Sequence, residues 1–283
     1  MADVNHSQKT QDYYRKAVER VRASLAPGST GTDFLHQSAP VIAWVEAQPS
    51  NNSRKTYYAV IKSVIKATAP QTIIDIYDEK FRHYFGLIKA EAEKQKAMPK
   101  EDDDSLTMEE VIVARDQLIK DKDWQNALLL GCYTYLPPRR LDYNGMMVVH
   151  RKPGKKQTDF NYCVILKRKS YFIFNKFKTE KTHGQQIIQC PPELDRLIRE
   201  WRAYNTTMWL FVKQDGDPMN DQRLSAHLID LIERTTGKKA GASLLRHAFI
   251  TDYLKGEKPL LEKKAIADMM AHSTHTQELY RRV

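Results

Sequence analysis

Near residue 100 the chain interrupts its own pattern. The stretch EKQKAMPKEDDDSLT, residues 93–107, is polar, carries its charges in blocks and holds one proline. That composition makes linkers, because it offers no apolar face to bury. A chain of 283 residues is long enough for one large domain or two of ordinary size. The interruption favours two, each with its own core. Directly after it, Ser105 or Thr107 can cap a helix whose first turn holds Glu109 and Glu110. The expected division is residues 1–98, a linker over 99–106, and residues 107–283.

The first part reads as four helices. QDYYRKAVERVRASL has apolar residues at helical spacing and stops at PGSTGT. DFLHQSAPVIAWVEA and IIDIYDEKFRHYFGLIKAEAEKQKA repeat that spacing. In SNNSRKTYYAVIKSVIKAT, Ser and Asn supply an N-cap, and Tyr57, Val60, Ile61, Val64 and Ile65 make an apolar stripe. Arg54, Lys55, Lys62 and Lys66 lie on the same element. The second part opens with helices, MEEVIVARDQLI and WQNALLLGCYTYL. Then MMVVHR, YCVILKR, SYFIFNKF and QQIIQC read as short strands in hairpins. Helical patterns return in PPELDRLIREWRAYN, QRLSAHLIDLIERTTG, SLLRHAFITDYLK and KKAIADMMAHS. The expected fold class is mainly α with a small antiparallel β-sheet.

Charge narrows the partner. Lys+Arg 45 against Asp+Glu 35 leaves a net +10 and a pI near 9.3. Cations in excess release counterions from a phosphate backbone, so nucleic acid is the expected partner. Cys132, Cys163 and Cys190 fit neither a zinc site nor a disulfide framework, and read as free thiols in a reducing compartment. The start has no apolar signal-peptide core, and no run is long enough to span a membrane. These features point to an intracellular, soluble protein.

Four places can carry chemistry. In YLPPRRLDY, Arg139 and Arg140 follow two prolines and an apolar helix, with Asp142 placed to orient one guanidinium. In SLLRHAFITDYL, Arg246 and His247 sit inside an apolar stretch. At both, a structural ion pair is the other reading. In KFKTEKTHGQQ, Lys176, Lys178 and Lys181 crowd an expected hairpin with Gly184 at its turn, a DNA-contacting tip or a solvated loop. In the ending AHSTHTQELYRRV, His272 and His275 have the spacing of a helical metal pair, but no further ligand completes a site. Tyr280 follows, alone an ordinary phenol. Together these types suit phosphodiester chemistry without metal. Arginines neutralise the non-bridging oxygens and a lysine protonates the leaving oxygen. A histidine assists, and a tyrosine stores the bond energy in a covalent ester. No phosphate-binding G-x-x-x-x-G-K-[ST] loop is present, and no cofactor is expected.

In this order the residues resemble the tyrosine recombinase, or phage integrase-like, family. RRLD is similar to its first arginine box and gives Arg139 the arginine role and Asp142 the acidic one, with Arg140 the alternative. FKT resembles its hairpin lysine motif and favours Lys178, with Lys181 the rival. SLLRHAFIT resembles the H-x-x-R box and gives Arg246, with Ser243 in place of the first histidine. The ending AHSTHTQELY resembles GHS…Y and gives His272 and Tyr280, one residue closer than usual and with only Arg281, Arg282 and Val283 beyond. The N-terminal helices resemble the family's core-binding domain.

The resemblance implies a helical DNA clamp joined to a catalytic domain. Catalytic residues would be Arg139, Lys178, Arg246, His272 and Tyr280; DNA contacts would include Arg54, Lys55, Lys62, Lys181 and Ser243. It implies site-specific recombination of double-stranded DNA through a 3′-phosphotyrosyl intermediate, by a homo-oligomer, a tetramer on two sites. Two other functions remain open. A type IB topoisomerase uses the same residue types as a monomer. A non-catalytic DNA-binding protein on this fold would account for Ser243.

Overall fold

In a computed structural model the described residues are 8–97, 106–274 and 276–277. The chain divides into two compact units, Met1–Pro99 and Lys100–Val283. The linker expected over 99–106 lies outside the described residues except for Leu106. Tyr280 and His275 also lie outside them.

The first unit is helical: α1 (Gln8–Leu25), α2 (Ser38–Glu46), α3 (Asn51–Ile65) and α4 (Gln71–Ala97), with a 3-10 turn at Asp33–His36. Ser50 caps α3 by accepting from the Ser53 amide at 3.1 Å. Val60, Ile61 and Ile65 of the expected stripe are buried, with Tyr77 and Tyr84 of α4 in the same core. One half-buried polar knot borders it. Glu46 accepts from Tyr58 at 2.9 Å, from Lys80 at 3.2 Å and from Tyr84. Burial pushes that carboxyl up, but the two phenols and the ammonium outweigh it and hold it below the usual range.

The second unit starts with the helix α5 (Met108–Lys120), and Thr107 is its cap. Thr107 Oγ1 accepts from the Glu110 amide at 3.2 Å, and Glu110 returns to the Thr107 amide at 2.8 Å. Such a reciprocal box stabilises a helix start by about 1 kcal/mol. Next, α6 (Trp124–Thr134) is buried from Asn126 through Tyr133, as a helix apolar on all sides must be. Gly131 lets α8 (Pro192–Tyr204) approach it: an added Cβ would stand 3.0 Å from a Leu197 methyl. Three further helices complete the unit: α9 (Asp221–Thr236), α10 (Ala242–Tyr253) and α11 (Leu260–Met269).

A four-stranded sheet is inserted between α6 and α8, in the order β1 (Met147–Val149), β2 (Tyr162–Ile165), β3 (Ser170–Phe174), β4 (Gln186–Gln189). Cys163, Phe172, Phe174 and Ile188 join the helical core, while Tyr162, Val164 and Ile173 form a small cluster on the other face. β2, β3 and β4 are antiparallel as expected, but β1 pairs with β2 in parallel, so the sheet is mixed. The physical reason is the long return over residues 150–161, which carries the chain back to the end where β1 began. The expected β3–β4 hairpin also differs. Its connection folds into a short helix, α7 (Glu180–His183), closed by Gly184 at φ 65. Among the described residues, no helix is long and apolar enough to cross a membrane.

Candidate active site

Two prolines end α6 and deliver Arg139 into the core, because a proline ring cannot continue the helix. Two phenols fix this turn. Tyr133 donates to the Arg140 carbonyl at 2.7 Å, and buried Tyr143 donates to the Cys132 carbonyl at 3.2 Å. Arg139 is 1% exposed. Its Nε donates to Asp142 Oδ2 at 2.8 Å, and its Nη1 to the Met269 carbonyl at 2.8 Å and to Gln186. Its guanidinium stacks 4.1 Å from the Phe174 ring and 4.8 Å from that of Phe177. One arginine thus ties the turn after α6, the start of β4 and the end of α11 together. Its Nη2 is buried and has no hydrogen-bond partner among the described residues. An orphan donor of this kind costs about 1–3 kcal/mol. Arg140, the neighbouring alternative, is exposed.

Asp142 carries the opposing strain. Burial pushes its carboxyl above the usual range, although Arg139, Arg246 and Arg140 pull it down. The net charge of this group of residues is positive, which suits an anion.

Arg246 enters from α10 and is 2% exposed. Its Nη1 lies 3.4 Å from the carbonyls of Pro138 and Met270, and its Nη2 is 2.8 Å from His272 Nδ1. A guanidinium can only donate, so His272 Nδ1 accepts and the ring proton sits on Nε2. Burial first, then the charges of Arg246, His183 and Arg140, lower the imidazole to about 4. His272 is therefore neutral at neutral pH, with an N–H of fixed direction. The turn that aims it is a Schellman motif. The His272 amide reaches the Ala267 carbonyl at 3.1 Å and the Ala271 amide reaches Asp268 at 3.0 Å. Ala271 takes the left-handed position at φ 53, where glycine is the usual residue.

The β3–β4 connection docks onto this turn. Thr179 Oγ1 donates to the Ala271 carbonyl at 2.9 Å, and Gln186 Nε2 donates to the Asp268 carbonyl at 2.7 Å. Lys178 and Lys181 lie exposed between or beside these two pins. His183, half-buried, lies between them too, and its charge acts on His272. Ser243 is exposed on the first turn of α10. The structure therefore brings Arg139, Asp142, Arg246 and His272 together and sets the lysine-bearing connection beside them. Among the described residues, no three His, Cys, Asp or Glu side chains gather as a metal-ligand set. A cavity of about 460 Å³ elsewhere in the unit, lined by Trp201, Lys213, Arg223 and His227 among others, contains none of these residues.

Sequence reasoning missed Gln186, Phe174, Phe177 and His183. The two phenylalanines read only as strand and core. Gln186 opens β4 and His183 ends the short α7, polar positions where nothing in the pattern distinguishes them from solvated neighbours.

Of the cations expected to touch DNA in the first unit, Arg54 bonds Asn51 Oδ1 at 3.2 Å and lies 5.7 Å from the Tyr84 ring. Lys62 is paired with Asp78 and sits 4.9 Å from the Phe81 ring. Lys55 is half-buried on the same helix.

No family model matches the chain, and no curated protein matches it. Solved structures do. One is a lambda integrase (75-356) dimer bound to a COC′ core site, at 14% identity and TM-score 0.57, covering 99% of this chain and 90% of that one. The chain has the tyrosine recombinase fold. Lambda integrase (residues 75-356) bound to DNA matches at 13% identity and TM-score 0.54, over 97% of this chain and 88% of that one. A lambda integrase tetramer bound to a Holliday junction matches at 13% and 0.54, over 99% and 73%. In this chain the small mixed sheet is inserted among helices, and Arg139 and Arg246 lie on opposite sides of the insertion in sequence.

Proposed function

We propose that the chain is a site-specific DNA recombinase that breaks and rejoins duplex DNA through a 3′-phosphotyrosyl intermediate. The observation that carries this reading is the pair of buried guanidiniums at the end of α11, Arg139 on the Met269 carbonyl and Arg246 on the His272 ring, with the Arg139 Nη2 donor unsatisfied among the described residues. A phosphate oxygen is the partner chemistry such a donor lacks. In this reading Tyr280 Oη attacks the scissile phosphorus, the bond to the 5′-oxygen breaks, and the 3′ end stays on the enzyme. Arg139 and Arg246 neutralise the charge that builds on the non-bridging oxygens. His272 is a hydrogen-bond donor through Nε2 rather than a base, because Arg246 occupies Nδ1. Lys178, with Lys181 as its alternative, protonates the departing 5′-oxygen. Attack by a second strand's 5′-hydroxyl then restores the phosphodiester. The energy stays in the ester throughout, so neither nucleotide nor metal is required.

Double-stranded DNA is the substrate, gripped by cations of both units such as Lys55 and Lys181. The lambda integrase neighbours hold a dimer on a core site and a tetramer on a Holliday junction. A tetramer on two sites is the assembly proposed for this chain. The test is covalent trapping. Incubated in EDTA with a nicked duplex that loses its 5′ end after cleavage, the wild-type protein should give an SDS-resistant adduct. Tyr280→Phe should give none, and an adduct surviving that substitution sinks the nucleophile assignment. Exchange between two duplexes then separates recombination from simple relaxation.

A further inference from the structure

The sheet has two ends, and the candidate active site occupies one of them. β3 ends at Phe174, whose ring stacks on Arg139, and Phe174 pairs with Gln186, which also bonds Arg139. β3 begins at Ser170, which the rise of a five-residue strand places about 13 Å away. At that far end lie cations that no step of the proposed reaction uses.

Topology brings them together. β1 and β2 run in parallel with Val149 opposite Val164, so the chain leaving β1 passes beside the turn that joins β2 to β3. The leaving chain carries Arg151 and Lys152, and the turn carries Lys167, Arg168 and Lys169. All five are exposed. Their segments, residues 150–158 and 166–170, hold no carboxylate. Among the described residues none of the five has an ion-pair partner. Lys62, Lys80, Lys213, Lys238 and Lys255 each have one. A charge equal to half of the chain's net +10 thus stands in one place.

The turn is held firmly. The Leu166 amide donates to the Lys169 carbonyl at 2.9 Å, and the Leu166 carbonyl accepts from Arg199 of α8 at 2.7 Å. Arg199 also donates to Asp195 at 2.8 Å, so that carboxylate is committed to it and not to the tip. Turn chemistry does not account for the residues at the tip. Two-residue hairpin tips favour Asn-Gly at positive φ, and Lys167 and Arg168 supply neither those residues nor that conformation. Like charges held this close repel one another in the free protein. A polyanion removes that repulsion and releases its own counterions as it binds.

We propose that this end of the sheet is a second phosphate-contacting surface, which binds the backbone of duplex DNA away from the phosphate held by Arg139 and Arg246. The inference deepens the recombinase reading above, whose substrate it shares. The contact is electrostatic: ammonium and guanidinium groups meet backbone oxygens and read no sequence. Duplex DNA is the occupant because each strand places a phosphate about every 3.4 Å, dense enough to engage several of the five cations at once.

The test is the salt dependence of DNA binding by the full chain in EDTA. The probe is a labelled duplex of arbitrary sequence about three helical turns long, read by fluorescence anisotropy between about 50 and 200 mM salt. The triple variant Lys167→Gln, Arg168→Gln, Lys169→Gln should lower the slope of log K against log salt by about 2–3, and weaken binding about 10-fold or more. The control Lys120→Gln, Lys213→Gln, Lys255→Gln removes equal charge elsewhere on the same unit, and should change the slope by less than about 1. Urea unfolding should show the first variant no less stable than wild type, because it relieves repulsion. If that variant is unstable, Arg168→Gln alone decides, with an expected slope change of about 1. An unchanged slope overturns the proposal and leaves the surface to an acidic protein or to solvent. Equal slope losses in both triple variants overturn it too, since net charge alone would then be responsible. Wild type that binds DNA with the expected slopes but forms no covalent adduct removes the recombinase reading while the contact stands. A normal adduct with an unchanged slope does the reverse, and no DNA binding by wild type removes both.

Discussion

Two buried arginines stand on either side of α6, and they are served very differently. Arg115, on α5, is 6% exposed. Its Nε and Nη2 both donate to Asp116, at 2.9 and 2.7 Å, and its Nη1 to Thr134 at 2.9 Å, with the Tyr135 ring 3.9 Å away. Every nitrogen has a partner, and its carboxylate is half in solvent. Arg139 is buried more deeply, shares a carboxylate that burial has pushed up, and leaves Nη2 unserved. Beside it stand a neutral histidine and an alanine in a left-handed turn. The contrast shows that burial of an arginine is no mark of function. What marks a site is unfavourable local energy concentrated in one place and held there by a well-packed core.

The largest expected effect separates these two arginines. Arg139→Lys keeps a positive charge but loses the planar fork that reaches Asp142, Gln186 and Met269 together. Its rate of adduct formation should fall by about 10²–10³. Arg115→Met should lose about 1–2 kcal/mol of stability while its rate per folded molecule stays at the wild-type value. Equal losses of rate in the two variants, measured by single-turnover trapping beside urea unfolding, would erase the distinction.

A second effect is smaller and depends on pH. Folding lowers the His272 imidazole from 6.5 to about 4. Below 6.5 the unfolded chain takes up a proton that the folded site refuses. Stability from this group is thus complete above 6.5 and is lost as pH falls toward 4, by up to about 3 kcal/mol. His272→Asn keeps an acceptor for Arg246 and removes the titration. Urea unfolding at pH 7, 6 and 5 should show a shallower acid loss in that variant than in wild type. Parallel curves would mean that the imidazole is not held neutral.

How much of this was legible beforehand depends on whether the signal is local. The capped start of α5 was readable, with Ser105 or Thr107 as the cap, because a cap and its partners lie within one turn of sequence; the structure selects Thr107 with Glu110. An arginine beside the apolar helix and the two prolines was readable as a candidate, but which of Arg139 and Arg140 is buried was not, because two adjacent arginines share one local context. The direction of β1 was not readable, since alternation tells a strand's faces and is silent about its neighbour's direction. Nor was α7, whose four residues EKTH are too few for any period to appear. Lys62 looked like a free cation until α4 brought Asp78 beside it. His183 became visible only when Thr179 and Gln186 were found pinned to the turn before His272.

The smallest effect tests whether the unfavourable terms around Arg139 belong to the site or are merely tolerated. Ala271 holds φ 53 in the motif that ends α11, a conformation costing an L-residue with a Cβ roughly 1 kcal/mol over glycine. Ala271→Gly relieves that cost but frees the unfolded chain, so the net gain should be at most about 1 kcal/mol. The turn also sets the path of the carbonyl that Thr179 holds and the direction of the His272 ring. If the strain only reflects sequence drift, Ala271→Gly should be more stable and equally fast. If the alanine stiffens the turn so that His272 meets Arg246 in one geometry, the variant should be more stable and slower in trapping. The second outcome is the one expected here, because both pins of the lysine-bearing connection and one bond of Arg139 end on residues 268–271. Loosening that segment loosens every element that the site shares.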